Sequence, residues 1–227
     1  LHKEYRRQRQ MCIRDRQVFR KEFPKVRIAL QQSTPEHIAE WVLSGKADIG
    51  IATEGLSQFE DLVSFPCYRW HHSVVVPDGH PLLEKKLITL ADLAQYSLIT
   101  YDLGFTGRGH IDDAFKQADI TTDIVLTAMD SDVIQQYVLL NLGVGIVASM
   151  ALQQNGSNGL KVIDASHLFA QNVTRLAVRR GAYLRQYTYD FIQQFAPELT
   201  RADIDEAMKI HCLLYTSPSP RDVEESR

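Results

Sequence analysis

An α/β fold built on largely parallel sheets is predicted by three features of the sequence. Short apolar runs such as ADIGIAT (47–53) and VGIVAS (144–149) are bounded by turn residues, as strands buried on both faces are. Between such runs lie segments with apolar residues three and four apart, for example Ile38, Trp41 and Val42. The two kinds of segment alternate along the chain, the signature of an α/β arrangement. The length of 227 residues suits one or two compact lobes of roughly 100 residues each.

Taken in order, Gln17–Phe23 reads as the end of a helix stopped near Pro24, and Arg27–Gln32 as a strand. Thr34 and Pro35 open a helix through Ser44, with Thr34 as the cap and Pro35 at the first helical position. Gly45 ends it in the left-handed conformation that favours glycine, and the strand ADIGIAT follows. Leu62–Phe65 and Ser73–Val76 are strands, and Pro77-Asp78-Gly79 is a turn. Thr89–Ala94 is a short helix before strand SLITY (97–101), loop DLGFTG and a helix near Arg108–Gln117. Strand 123–128, helix Ser131–Asn141 and strands 144–149, 160–164 and 174–180 come next, then helices Leu184–Phe195 and Arg201–Ile210. A two-lobed molecule would let the chain cross between lobes near Val74–Pro77 and again near Gln171–Thr174.

Composition removes several function classes. No apolar run approaches the roughly 18 to 20 residues of a membrane span, and nothing reads as a signal peptide, so a cytoplasmic location is expected. Cys12, Cys67 and Cys212 form no close pair, which argues against a disulfide framework or a structural zinc site. Residues 1–16 are strongly basic and lack a continuous apolar face. MCIRDR near the start and CLLYTSPSPRD from Cys212 both resemble translated sequencing-adapter sequence, so 1–16 and 212–227 are set aside as non-native tails. Residues 17–211 then hold 17 Lys and Arg against 23 Asp and Glu, a net of −6, with no electrostatic footprint for nucleic acid.

Six segments carry a family resemblance: PEHIAEWVLSGKADIGIATE, FPCYRW, LAQYSLITYDLGFTGR, DSDVIQQYVLLNLGVGIVASMA, RRGAYLRQYTYDFIQQFAP and LTRADIDEA. Together they look like the effector-binding domain of LysR-type transcriptional regulators of the CysB/Cbl branch, from about Gln17 to Ala207. The resemblance implies two periplasmic-binding-protein-like lobes (type 2) joined by two crossing segments, with the ligand in the cleft. It assigns 17–76 to a first lobe, 77–173 to a second and 174–211 to the return to the first. It also implies that the family's winged helix-turn-helix, linker helix, first strand and most of its first helix lie outside this chain. The chain is therefore expected to be a fragment, with an incomplete first lobe.

The ligands implied are sulfate-like anions and acetylserine, with no cofactor. A physical basis is readable here. Helix N-termini present unpaired N–H groups and a partial positive charge, so they hold anions without a buried cation. Thr34-Pro35 opens one such helix and Thr106-Gly107 another, while Thr53 ends strand ADIGIAT, where sheets of this class deliver ligand residues. By resemblance, Thr53 and Thr106 occupy family ligand positions, and Thr34 falls in a helix-opening loop used for effectors. Simple capping remains the alternative for each threonine, and it is left open for Thr34. Trp70 either lines the cleft or packs in the core. Arg108 either pairs with a carboxylate or is solvated on its helix.

Other motifs carry bland readings. His71 and His72 are adjacent on an extended segment, point to opposite faces and cannot readily grip one ion, so no metal is expected. Gly143 and Gly145 follow a helix and precede a strand, the reverse of the dinucleotide fingerprint, and read as a helix end and a tight turn. Asp130, Ser131 and Asp132 read as helix capping. No nucleophile–base pair assembles, so a binding module is expected and not an enzyme. A solute receptor of the periplasmic type for sulfate or a related anion is the alternative. The resemblance adds partners for an intact protein: a homotetramer, DNA and RNA polymerase, with no membrane. One expected outcome concerns nucleic acid. Residues 17–211 should show no promoter-specific retardation in a gel-shift assay, and any binding by the full chain should come from residues 1–16 and vanish steeply with salt.

Overall fold

The computed structural model describes residues 16–209 except 54, 106 and 153–158. Both tails, 1–15 and 210–227, lie outside the described residues. The helices are α1 (Arg16–Glu22), α2 (Pro35–Leu43), α3 (Leu90–Leu93), α4 (Arg108–Gln117), α5 (Ser131–Leu139), α6 (Gln186–Phe195) and α7 (Arg201–Lys209). The strands are β1 (Gly50–Thr53), β2 (Leu62–Trp70), β3 (His72–Pro77), β4 (Leu98–Tyr101), β5 (Ile124–Ala128), β6 (Val144–Ala148), β7 (Leu160–Asp164) and β8 (Asn172–Arg179). They form two sheets, one of order β1-β8-β2 and one of order β5-β4-β6-β3-β7. Each sheet centres a lobe, in the two-lobe α/β architecture the sequence predicts.

The sheets are less parallel than predicted. β4 runs parallel to β5 and β6, whereas β3 is antiparallel to β6 and β7, and β8 is antiparallel to β1 and β2. The reason is the crossing of the chain: β3 enters the second sheet, and β8 re-enters the first, each travelling against the strands already there. The position of the first crossing also differs. His72–Pro77 pairs within the five-stranded sheet, so the chain leaves the first sheet at His71, before and not after Val76. The cause is that HSVVVP is buried along five of its six residues and can only be a central strand.

Each sheet is covered on both faces. In the second lobe Val74, Val76, Leu98 and Ile146 pack beneath Ile111 and Phe115 of α4. Their neighbours Val75, Ile99 and Val147 face Ile134 and Val138 of α5, as period-two alternation requires. Gly145 is small because of this packing: a Cβ there would lie 2.5 Å from Val75 and 2.8 Å from Val138. The left-handed turn expected near Gly143 falls instead on Asn141, with φ 58°. Gly143 itself lies against the carbonyl of Ser97.

In the first lobe α2 covers one face of the sheet with Ala39 and Val42, while Ile192 of α6 and Ile204 of α7 cover the other. Gly50 lets α2 lie directly on β1, since a Cβ would meet Ile38 at 2.8 Å and Val42 at 3.0 Å. Trp41, expected on the buried stripe, is half-buried with the Lys46 ammonium over its ring at 4.3 Å. Pro35 sits in the first turn, and Gly45 closes the helix at φ 74°.

Arg27–Gln32 is not a strand. Its RIALQQ pattern favours a strand, but a strand also needs a neighbour, and among the described residues β1 pairs only with β8. Leu30 is left 55% exposed. This contrast yields an expected outcome in hydrogen exchange. Amides of 27–32 should exchange with little protection, while those of β4 and β6, central in the other sheet, should approach the global unfolding limit. Equal protection of the two regions would show that 27–32 is hydrogen-bonded in solution.

Candidate functional site

The carboxyl ends of the strands converge on one cavity. Thr53, Tyr101 and Ala148, the last residues of β1, β4 and β6, all line a space of about 900 Å³ between the lobes. This is where α/β sheets place ligands, because the loops leaving those ends are free to face one another. The first lobe adds Ser33 and Pro35 at the opening of α2, and Thr174 on β8. The second adds Gly104 and Phe105 from the loop before α4, and Asp130, Ser131 and Asp132 from the start of α5. The cavity also runs into the first lobe between the unpaired segment at Ile28 and Leu30 and the edge residue Ile51, where its walls are apolar.

Thr53 lies on the cavity wall, half-buried, beside Thr174 on the next strand. Thr34 has the extended backbone of a cap (φ −69°, ψ 157°), but its side chain accepts no hydrogen bond from the helix. Its methyl group instead faces Gly104 of the other lobe, at 3.9 Å from where a Cβ would be. Thr106 lies outside the described residues. Trp70 is 3% exposed and is also part of the cavity wall. Its indole N–H donates to the Thr174 hydroxyl at 3.0 Å.

Arg108 is not solvated, and the carboxylate it pairs with is that of Asp112 on its own helix. It is 8% exposed, and its guanidinium donates to the Tyr101 carbonyl and to Asp112 at 2.8 Å. His72 is fully buried against Asn172, while His71 meets Gln171. Among the described residues no group of three His, Cys, Asp or Glu could hold a metal ion. Burial raises the Cys67 thiol to about 11, so it stays protonated at neutral pH. No described helix is long and apolar enough to cross a membrane.

Three site features were missed in the sequence. Tyr101 reads as an ordinary strand aromatic, yet its hydroxyl reaches the cavity and accepts the Ala148 N–H at 3.0 Å. Burial raises its pKa far above the usual tyrosine value, outweighing that hydrogen bond, and the Asp130 carboxylate adds to the rise; the hydroxyl is neutral. Asp130 does cap α5, accepting the Asp132 N–H at 2.7 Å, but Asp130, Ser131 and Asp132 also form a wall of the cavity. In the sequence Thr174 reads as the start of a strand at the second crossing. Its position opposite Thr53 follows from the register of β1 with β8, which no local pattern encodes. None of the described residues lining the cavity is a lysine or arginine.

Comparison with known proteins bears on this geometry. The sequence profile of the LysR substrate binding domain matches residues 17–200. The transcriptional regulator SsuR of Burkholderia cenocepacia is 52% identical over 182 residues, which is 80% of this chain and 59% of that protein. CysB of the same organism is 50% identical over 191 residues, covering 84% of this chain and 61% of that protein. The chain thus spans about three-fifths of the length of these relatives. The crystal structure of the cofactor-binding domain of the Cbl transcriptional regulator superposes with a TM-score of 0.80 at 42% identity. That match covers 90% of this chain and 88% of the Cbl chain.

The Trp70–Thr174 bond makes a separate stability test. Trp70→Phe keeps an aromatic ring but removes the N–H donor. Urea unfolding should show a loss of about 1 kcal/mol or more, the usual worth of a buried hydrogen bond plus imperfect ring packing. An unchanged midpoint would mean the bond contributes nothing.

Proposed function

The chain belongs to the LysR substrate-binding domain family, and from that premise we propose that its cleft senses a small polar acid or anion of the acetylserine or sulfate class. The observation that carries this reading is the cavity itself, walled by hydroxyls and strand ends from both lobes and by no described lysine or arginine. A negative group entering it meets neutral donors: the hydroxyls of Ser33, Thr53 and Thr174, and the first N–H groups of α2, which Thr34 leaves uncapped. Asp130 and Asp132 on the other wall favour an effector whose far end carries a hydrogen-bond donor. Acetylserine, with a carboxylate at one end and donors elsewhere, meets both walls better than a bare oxyanion does.

Such an effector acts by preferring one lobe arrangement over another, and it shifts the equilibrium only by that difference in affinity. In the intact regulator the shift would reach a DNA-binding domain, acting in a tetramer and on RNA polymerase at promoters of sulfur assimilation and cysteine biosynthesis. The relationship to CysB, SsuR and Cbl regulators supports this role over that of a solute receptor or an enzyme. Titration calorimetry with N-acetylserine, O-acetylserine and sulfate tests it. At least one should bind with 1:1 or 2:1 stoichiometry. Thr53→Val and Thr106→Val, which keep shape but lose the hydroxyl, should each weaken binding by about 1.5 kcal/mol, roughly tenfold. Absence of binding by all three compounds, or wild-type affinity in both variants, overturns the reading.

A further inference from the structure

The two segments that join the lobes meet in a side-chain ladder that is exposed at its outer rungs and buried at its inner one. Arg69 donates to the Gln171 amide oxygen at 3.3 Å, and Gln171 donates to His71 at 3.1 Å. One step inward, the Asn172 amide lies 3.3 Å from His72 Nδ1, and both residues are fully buried. The His72 ring is held edge-on between Trp70 at 5.1 Å and Phe169 at 5.6 Å. The Asn172 carboxamide therefore has no freedom to swing aside.

That carboxamide lies against the other lobe. Asn172 pairs with Trp70 in the first-lobe sheet, yet its oxygen, which has no hydrogen-bond partner, abuts Gly107 at the start of α4 in the second lobe. A Cβ on Gly107 would lie 1.9 Å from Asn172 Oδ1 and 2.7 Å from Cγ, so only glycine permits the present approach. Turning the amide over changes which atom clashes and not whether one does, since the nitrogen then takes the oxygen's place at 1.9 Å and Cγ stays at 2.7 Å. The loop carrying Gly107 is held at both ends. Asp102 N–H donates to Ala128, Arg108 N–H to Phe105, and the Arg108 side chain to the Tyr101 carbonyl. Gly107 thus moves with its lobe.

We propose that the contact between Asn172 and Gly107 is the mechanical stop of the interlobe hinge, which sets how far the lobes close. Closure brings a buried, clamped carboxamide onto a bare Cα and ends there, because interiors of this density do not deform smoothly. Asn172 is accordingly a positioning residue, and its role holds whatever effector enters the cleft.

Gly104, on the same loop, supplies a control. It too has positive φ (81° against 67° at Gly107), but a Cβ there finds Thr34 at an ordinary 3.9 Å. Alanine therefore strains the backbone at both positions and blocks closure only at Gly107. Small-angle X-ray scattering of the unliganded chain, with thermal melting in parallel, reads the two effects separately. Gly107→Ala should lower the melting temperature and enlarge the radius of gyration; Gly104→Ala should lower only the melting temperature. Adding Asn172→Ala to Gly107→Ala should return the scattering profile to that of the wild type, although the backbone strain remains. If Gly107→Ala does not fold, Asn172→Gln, which pushes a longer amide against Gly107, should give the same enlargement. Wild-type scattering from the folded test variant, or continued enlargement in the double variant, overturns the proposal.

Discussion

The first lobe depends on a strand that comes back to it from more than a hundred residues away. β8 enters as the middle strand of the three-stranded sheet, antiparallel to both neighbours, and without it β1 and β2 would share no hydrogen bonds. Ala177 closes the core under α2, while Leu176 and Val178 close the one under α6 and α7. Such pairing is entropically costly to reach, because the intervening second lobe must form or be looped out first. The second lobe, by contrast, takes all its strands from one continuous stretch, His72–Asp164.

The same strand makes the cleft. Because β8 runs back from the crossing, its first residues lie beside the end of β2 and the end of β1, so Trp70, Thr53 and Thr174 share one wall. The opposing wall comes from the carboxyl ends of β4 and β6 and the opening of α5. One wall offers hydroxyls and helix N–H groups, and the other offers carboxylates and the neutral Tyr101 hydroxyl. On the proposed reading, that asymmetry would orient a small bifunctional molecule with no need for a buried counter-charge, whose desolvation would have to be offset.

On the proposed hinge stop, the limit to lobe closure rests on a few atoms. Gly104 and Gly107 lie on one anchored loop, the first facing Thr34 across the mouth and the second facing Asn172 at the hinge. Trp70 stands at the same junction, bonded to Thr174 and edge-on to His72, so cleft and hinge share a residue.

Local pattern alone determined most of the elements. Apolar runs and turn residues located all eight strands, with one more expected at 27–32 that does not form, and capping residues located α2, α4 and α5 to within a few residues, because those signals act over one or two turns of chain. The threonine at the end of β1 was legible as a ligand candidate for the same reason: strand ends are local features. What pairs with what was not. Whether 27–32 joined a sheet, whether β3 belonged to the first lobe or the second, and whether the sheets ran parallel were decided by neighbours distant in sequence. Thr174 entered the site through the register of β8, Tyr101 through the burial of its ring, and Asn172 met Gly107 only when the crossing closed. A chain's pattern specifies which face each residue presents; only the assembled fold specifies what stands opposite it.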